Sequence, residues 1–262
     1  MPLLLRLAHF PPRLRRGQSR PLFPTLLVFL TVSILLVSCR KQYNIFSLLV
    51  SSLSPSNYPA MDVVPPTDSP EVQQWIQEVM NSGVNIPSFN PTVAGGCPAN
   101  PAAAANSTRC WWTCGGCTRS TDITTCPQKY NWGLTYDDGP SHYTPDLLNY
   151  LTQVNLSTTF FVVGSRVIQF PQLLQEEYML GHQIAVHTWS HPPLTTLTNE
   201  QIIAELGWSK KVIQDTIGVV PLMMRPPYGD IEFVFSFFVH RIYGADDYFN
   251  GAVTVCVLFA RP

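Results

Sequence analysis

Three short polar clusters in the second half of the chain carry the groups that metal-assisted hydrolysis needs. Asp137 and Asp138 are adjacent, His187 and His191 are four residues apart, and the third cluster begins at Arg225 and reads Arg-Pro-Pro-Tyr-Gly-Asp. Two imidazoles and one carboxylate can hold one face of a divalent metal ion and leave its other positions open for water and substrate. Histidines at i and i+4 meet on one side when the chain makes one helical turn. The clusters therefore predict an open, hydrolytic metal site.

Each cluster alone also has an ordinary structural explanation. An isolated Asp-Asp-Gly is usually a turn, and a lone pair of histidines is usually incidental. Their order favours function, because each cluster directly follows a segment that we predict to be a strand. Asp137 and Asp138 point opposite ways on an extended strand. At the end of a strand, however, one can bind a metal while the other faces the substrate.

The segments around the clusters alternate between strand-like and helix-like patterns. Apolar runs predict strands over 132–136, 158–163, 183–186 and 222–224. Capping residues and apolar periodicity predict helices over 70–80, 144–151, 171–180 and 199–217, capped by Ser69, Thr144 and the Thr198–Gln201 box. Such alternation predicts an α/β fold with parallel strands. In an α/β barrel, chemistry lies at the C-terminal ends of the strands, which is where the clusters are.

Five of the seven cysteines crowd one segment: Cys97, Cys110, Cys114, Cys117 and Cys126. Cys114-Gly-Gly-Cys117 would also suit a redox pair or half of a zinc ribbon. A ribbon needs a second pair, and only Cys39 and Cys256 remain. We therefore expect structural disulfides formed in an oxidising compartment. Because five is odd, one of these cysteines must pair elsewhere or stay free.

An uncharged run from Leu22 to Val37 follows an arginine-rich start, which is the pattern of a secretory signal or a signal anchor. The run is shorter than the ~20 apolar residues that span a bilayer comfortably, so cleavage and retention both remain open. A buried core helix is the alternative. Asn106-Ser-Thr and Asn155-Leu-Ser are possible N-glycan acceptors. Together with the cysteines, these features predict a glycoprotein that is secreted to the cell wall or held at the plasma membrane.

Composition excludes nucleic acid as a partner. Charged residues make up 13% of the chain, against about 25% in a typical protein. Seven basic residues precede the first acidic one, Asp62, which leaves nine basic residues against 17 acidic ones in the remainder. A body this acidic has no basic face for nucleic acid. A neutral glycan, or a cationic product such as chitosan, fits it better.

The three clusters match, in order, the first three motifs of the NodB-type polysaccharide deacetylases, carbohydrate esterase family 4. The runs CWWTCGGCTRSTDITTCP, GHQIAVHTWSHP and MRPPYGD resemble chitin deacetylases of basidiomycete fungi. This resemblance covers roughly residues 97–231. It implies a distorted (β/α) barrel, here C-terminally truncated or altered.

The resemblance implies three ligands of one divalent ion, zinc or cobalt: Asp138, His187 and His191. It implies that Asp137 is the catalytic base and that Arg225 holds and tunes it. Tyr228 would lend its backbone N–H to the oxyanion and, with Pro227, contact the substrate. The implied reaction is hydrolysis of the N-acetyl groups of chitin, to chitosan and acetate, by a monomer.

The sequence departs from the family after Ile231. In the family a later histidine protonates the leaving amine, supported by a motif with Asp and Trp, and neither is legible here. His240 and Asp246-Asp247 lie too close to the third cluster to cross a barrel. Loss of a general acid typically costs about 10²–10⁴ in rate. We therefore expect the chain as written to act poorly on chitin oligomers and better on activated acetate esters.

The predicted organisation has five parts: a signal or anchor (1–41), a Ser/Pro-rich stalk or surface-hugging arm (42–96), a cysteine-rich segment (97–129), the first part of the deacetylase domain (130–231) and an atypical tail (232–262). Two other functions remain open. One is deacetylation of another polysaccharide, such as acetyl-xylan or peptidoglycan. The other is glycan binding in the cell wall by a catalytically inactive protein.

Overall fold

A computed structural model of the chain describes residues 48–83, 86–118, 122–126, 130 and 132–232. Among these residues the strands Thr135–Asp137 (β1), Thr159–Val162 (β2) and Gln183–Val186 (β3) form a parallel sheet in the order β1–β2–β3. Phe160 of the central strand pairs with Tyr136 on one side and Ile184 on the other. The predicted α/β class with parallel strands is confirmed, and the sheet is consistent with one part of a distorted (β/α) barrel.

The predicted fourth strand, 222–224, is reduced to a single parallel bridge between Val186 and Met224. The Val186 N–H donates to the Met223 carbonyl at 2.8 Å, and the Arg225 N–H donates to the Val186 carbonyl at 2.9 Å. The third cluster is thereby fixed beside the end of β3.

The longer helices of the described residues are Pro70–Met80 (α1), Thr144–Gln153 (α2), Gly164–Gln169 (α3), Pro171–Met179 (α4) and Asn199–Ile217 (α5). The predicted caps of α1 and α5 are confirmed. Ser69 accepts from the Val72 N–H at the start of α1, and Thr198 and Gln201 form a capping box at the start of α5. Helix α5 ends at Gly218, which has the left-handed φ of 73° that glycine tolerates.

Helix α2 corrects one predicted cap. Thr144 is the first helical residue, and Tyr143 occupies the N-cap position. The Thr144 hydroxyl instead accepts a hydrogen bond from the Ser141 N–H at 2.9 Å, so it stabilises the loop that precedes the helix.

The core lies where the sheet meets α3 and α5. Its fully buried side chains include Phe161, Val162, Val186, Leu206, Ile213 and Met224. Gly164, the first residue of α3, approaches this layer so closely that an added Cβ would lie 2.6 Å from Trp189 Cε3 and 2.9 Å from Ser209 Oγ. Glycine is required there, because any side chain would push α3 away from α5 and from the loop that carries the histidine cluster.

The described part of the 42–96 segment packs against the α/β body, as expected for a surface-hugging arm, and does not project as a stalk. The Tyr58 ring stacks on Trp189 with centroids 6.1 Å apart, and Trp189 Nε1 donates to the Ala60 carbonyl. Helix α1 packs on α5, where an added Cβ at Gly207 would lie 2.2 Å from Trp75 Cε3. Serine and proline content alone does not reveal these aromatic anchors.

The cysteine segment contains two disulfides, Cys97–Cys114 and Cys110–Cys117. The two cysteines of the Cys-Gly-Gly-Cys run therefore have different partners, which confirms the structural role and excludes a redox pair between them. Cys126 is the free cysteine among the described residues, as the odd count predicts.

Several predictions fall outside the described residues. These are the signal or anchor over 1–41 and, beyond its first residue Glu232, the tail over 232–262 with His240 and Asp246-Asp247. Within the described part, no helix combines the length and apolarity needed to cross a bilayer.

Candidate metal centre

The three predicted ligands meet at the C-terminal edge of the sheet. Asp138 directly follows β1, His187 directly follows β3, and His191 lies on the turn after His187. Asp138 Oδ1 is 3.3 Å from His187 Nε2 and 3.0 Å from His191 Nε2. One possible ligand atom from each residue lies within 4.8 Å of the other two. His187 is buried and Asp138 is exposed, so the site opens to solvent on the carboxylate side.

The backbone of the third cluster determines which nitrogen of His187 faces this site. His187 Nδ1 lies 2.7 Å from the carbonyl oxygen of Arg225. A carbonyl can only accept, so Nδ1 carries a proton and the neutral ring keeps its lone pair on Nε2. That lone pair faces a carboxylate oxygen, an arrangement that needs a positive charge between the two atoms.

Protons on the histidines can supply that charge. In that state hydrogen bonds from His187 and His191 hold the pKa of Asp138 well below its usual range. A divalent cation can supply the charge equally well, because the two nitrogens and the oxygen converge with their lone pairs. The donor set, two imidazoles and one carboxylate with a backbone carbonyl behind one ring, fits a hydrolytic metal centre.

Four residues of this site adopt left-handed backbone conformations that are uncommon outside glycine: Asp138, Thr188, His191 and Tyr228, with φ between 59° and 70°. Such conformations persist where the surrounding structure holds them, and they concentrate at functional sites. Their occurrence in all three loops indicates that the loops are shaped for the site and not for local stability.

Asp137 is held in place by Arg225. Arg225 Nη1 donates to Asp137 Oδ1 at 2.5 Å and to Thr135 Oγ1 at 3.0 Å. The guanidinium lies over the Phe161 ring, 4.0 Å from its centre, within cation–π range. The Asp137 side chain is 32% exposed, so this carboxylate has a fixed orientation and still reaches solvent. It is adjacent in the chain to the predicted ligand Asp138, a position that suits the predicted role of a general base.

Tyr228 lies on the rim of the centre. It is 63% exposed, and its ring centre is 4.9 Å from that of His191. Pro227, in the same helical turn, is buried, and its predicted contact with substrate stays a prediction. The turn therefore presents Tyr228, and not Pro227, on the surface beside the metal ligands.

Asp230, the last residue of the third cluster, connects three loops. Its Oδ1 accepts from Trp111 Nε1 at 2.7 Å and from Thr113 Oγ1 at 3.2 Å. Its Oδ2 accepts from the Thr195 N–H at 3.0 Å and from Thr195 Oγ1 at 2.6 Å. The cysteine segment, the loop after the histidines and the third cluster are thus joined at one buried carboxylate, a role that the motif alone does not reveal.

Glu205 on α5 is the second buried carboxylate near the centre. It is fully buried and accepts hydrogen bonds from the backbone of Trp189 and Ser190, which lie between the two histidines. Burial raises the pKa of Glu205 to about 7, against the opposing effect of the bonds from Ser190 and Trp189. The sequence indicates the importance of Glu205 only weakly: it is an acidic residue in the apolar stripe between Ile202 and Leu206.

The chain is similar in sequence to known proteins. Residues 124–235 match the family model described as polysaccharide deacetylase. A chitin deacetylase 1 of Cryptococcus neoformans var. grubii is 60% identical over 185 residues, which cover 71% of this chain and 38% of that protein. The chain carries a polysaccharide deacetylase domain. The three polar clusters all lie within the matched residues.

Two other proteins are also similar to this chain. A chitin deacetylase of Amylomyces rouxii is 42% identical over 129 residues, covering 47% of this chain and 31% of that protein. The solved chitin deacetylase of Colletotrichum lindemuthianum is 31% identical, with a TM-score of 0.43, over 48% of this chain and 56% of that one. The aligned part of the chain spans less than half the length of the Cryptococcus neoformans and Amylomyces rouxii relatives.

The structure brings together the predicted residues Asp137, Asp138, His187, His191, Arg225 and Tyr228 at one edge of the sheet. Their individual roles stay predictions. The supporting residues Thr135, Phe161, Glu205 and Asp230 do not follow from the motifs. They are ordinary residue types whose importance depends on contacts made across the fold.

Proposed function

We propose that this chain hydrolyses the N-acetyl groups of chitin, giving chitosan and acetate, with the help of one divalent metal ion. The observation that carries the proposal is the convergence of Asp138, His187 and His191 beside Asp137, which Arg225 holds in place. The family assignment supports hydrolysis of an acetylated polysaccharide. Relatives named chitin deacetylase, at 60% and 42% identity, support chitin as the polysaccharide.

Asp138, His187 and His191 would hold the ion, and zinc or cobalt suits two imidazoles and one carboxylate. When bound, such an ion polarises the acetamide carbonyl and lowers the pKa of water. The proposal that a divalent cation binds here, whichever metal it is, rests on the facing lone pairs of His187 Nε2 and Asp138 Oδ1.

Asp137 would take the proton from the attacking water. One of its oxygens accepts from Arg225, and in the described part of the chain the other accepts no hydrogen bond, so it can accept that proton. Arg225 Nη1 donates to both Asp137 and Thr135, and this pair of hydrogen bonds orients the carboxylate. The backbone N–H of Tyr228 would stabilise the negative oxygen of the tetrahedral intermediate.

We further propose that the chain is exported to the cell wall or the outer face of the plasma membrane and works as a monomer. Two disulfides support an oxidising compartment. Asn106 and Asn155 are both exposed, so both predicted glycan acceptors are accessible.

Acetate release from chitotetraose by the purified chain, loaded with zinc or cobalt, tests the proposal. Asp137→Asn should reduce turnover by about 10²–10⁴ and retain the metal, whereas His187→Ala should lose the metal. Asp146→Asn, an exposed aspartate on α2, is the matched control and should change neither. An aryl acetate, which needs no protonation of an amine, separates the contribution of the metal and the base from that of a general acid.

Unchanged metal affinity in His187→Ala would show that Asp138, His187 and His191 do not form the metal site. Release of acetate from acetyl-xylan or peptidoglycan but not from chitotetraose would show that the substrate is another glycan. Absence of release from every glycan and from the aryl acetate would leave a glycan-binding protein.

A further inference from the structure

The turn that joins the two histidine ligands is conformationally unfavourable by itself. Thr188 and His191 have φ values of 66° and 63°, in a region that is unfavourable for residues other than glycine. Within the turn, the Thr188 hydroxyl accepts from the His191 N–H at 3.1 Å. One such bond does not offset two unfavourable residues, so the turn depends on contacts from elsewhere in the fold.

Glu205 supplies those contacts from α5. Its Oε2 accepts from the Trp189 N–H at 2.7 Å and from the Ser190 N–H at 2.9 Å, and its Oε1 accepts from Ser190 Oγ at 2.5 Å. Three donors from two consecutive residues thus converge on one carboxylate that is completely buried. Hydrogen bonds to a carboxylate are stronger than those between neutral groups.

The opposite side of the turn is bound to α3. The Gly164 N–H donates to the Thr188 carbonyl at 2.9 Å, and the Ser165 N–H donates to the Trp189 carbonyl at 3.1 Å. The turn is therefore held between two helix surfaces, and Glu205 is the carboxylate that binds its two central residues, Trp189 and Ser190. Loss of that partner would let His187 and His191 sample other separations.

We propose that Glu205 is a positioning residue of the metal centre: it fixes the turn between His187 and His191 and so sets the affinity of the site for its ion. This inference rests on the metal site of the proposed function. Partners that orient metal ligands typically change metal affinity by about 10–100-fold when they are replaced.

The chain offers a matched control. Glu177 on α4 is also a fully buried glutamate, but its carboxylate oxygens have no hydrogen-bond partner among the described residues and it is not part of the metal centre. Glu205→Gln and Glu177→Gln are the same isosteric change at two buried positions. Only the first alters groups that hold the histidine turn.

The experiment measures the zinc dissociation constant of the full chain by competition with a chromophoric chelator, and the visible absorption of the cobalt-substituted site. Glu205→Gln should bind zinc about tenfold or more weakly and change the cobalt spectrum, while Glu177→Gln should match the parent in both. Ser190→Ala removes one donor and leaves the carboxylate, so a smaller loss of about threefold is expected. It also provides a measurement if Glu205→Gln fails to fold.

Parent-like zinc affinity and cobalt spectrum in Glu205→Gln, or in Ser190→Ala if only that variant folds, would overturn the inference while the metal site stands. An equal loss in Glu177→Gln would overturn it as well, because the effect would then come from general destabilisation. Failure of the parent to bind one zinc ion would instead overturn the proposed function, and this inference with it.

Discussion

Replacing Glu177 by glutamine should make the protein more stable at alkaline pH and nearly unchanged at acidic pH. Glu177 is fully buried on α4, and neither carboxylate oxygen has a hydrogen-bond partner among the described residues. Burial, and to a smaller extent the charge of Glu176, raises the pKa of Glu177 from 4.5 to about 8. The folded protein therefore keeps this carboxyl protonated in a pH range where the unfolded chain releases the proton.

The sign follows from proton linkage. Between pH 4.5 and 8 the folded state binds more protons at this residue than the unfolded state does, so the free energy of unfolding falls as the pH rises. Each pKa unit corresponds to about 1.4 kcal/mol, which gives an upper limit of about 4 kcal/mol at pH 8. Glutamine cannot ionise, so Glu177→Gln should recover most of this loss at pH 8 and little of it at pH 5.

Urea unfolding followed by circular dichroism, at pH 5 and pH 8 with chelator present, measures the difference. Burial also raises the pKa of Glu205 and Glu232 to about 7, but both contribute equally to parent and variant and cancel. Glu176→Gln, on the exposed neighbour, is the control: it keeps the buried Glu177 carboxyl, so its free energy of unfolding should fall between pH 5 and pH 8 nearly as much as that of the parent. An advantage of Glu177→Gln that is the same at pH 5 and pH 8 would refute the reasoning, because the carboxyl would then not titrate in this range.

Three further outcomes are expected. Arg225→Lys should lower deacetylation at least tenfold, since Asp137 loses its fixed partner. It should retain one zinc per chain by metal analysis, because the backbone carbonyl of Arg225, which the substitution keeps, lies beside Nδ1 of the predicted ligand His187; loss of zinc would contradict this. Asp230→Ala should lower the free energy of unfolding by about 2–4 kcal/mol, since it leaves buried donors unpaired, and a urea titration that shows no change would refute that role. Glycosidase treatment of the secreted protein should increase gel mobility, and substitution of Asn106 and Asn155 by glutamine should remove the shift; a shift that persists would place the glycan elsewhere.

The parts of the fold that follow from sequence are those with local causes. The Thr198–Gln201 box and the Ser69 cap satisfy backbone groups within a few residues, and both helices begin where these patterns place them. The clusters follow strands, and parallel strands bring their C-terminal ends together, so the meeting of Asp138, His187 and His191 is also predictable.

Other features depend on residues far apart in the chain. Helix α3 begins at Gly164 without a capping side chain, and its place is set by contact with Trp189 and Ser209. The strand predicted at 222–224 becomes a single bridge, because only Met224 pairs with β3. Glu205 looks like one more glutamate of a helix, and its role appears only once α5 lies beneath the histidine turn.

The docking of the cysteine segment has a consequence for how the protein can be divided. Arg109 forms a buried ion pair with Glu232 at 2.9 Å, Trp111 donates to Asp230, and the Trp112 N–H donates to the Ile231 carbonyl. The region shared with the family begins only at residue 124. An expression fragment cut at that boundary would keep two interior carboxylates and discard the side chains that neutralise and bind them. The start of the match to the family model is therefore not a place where this protein can be cut, and we expect the disulfide-linked residues before it to unfold together with the residues after it.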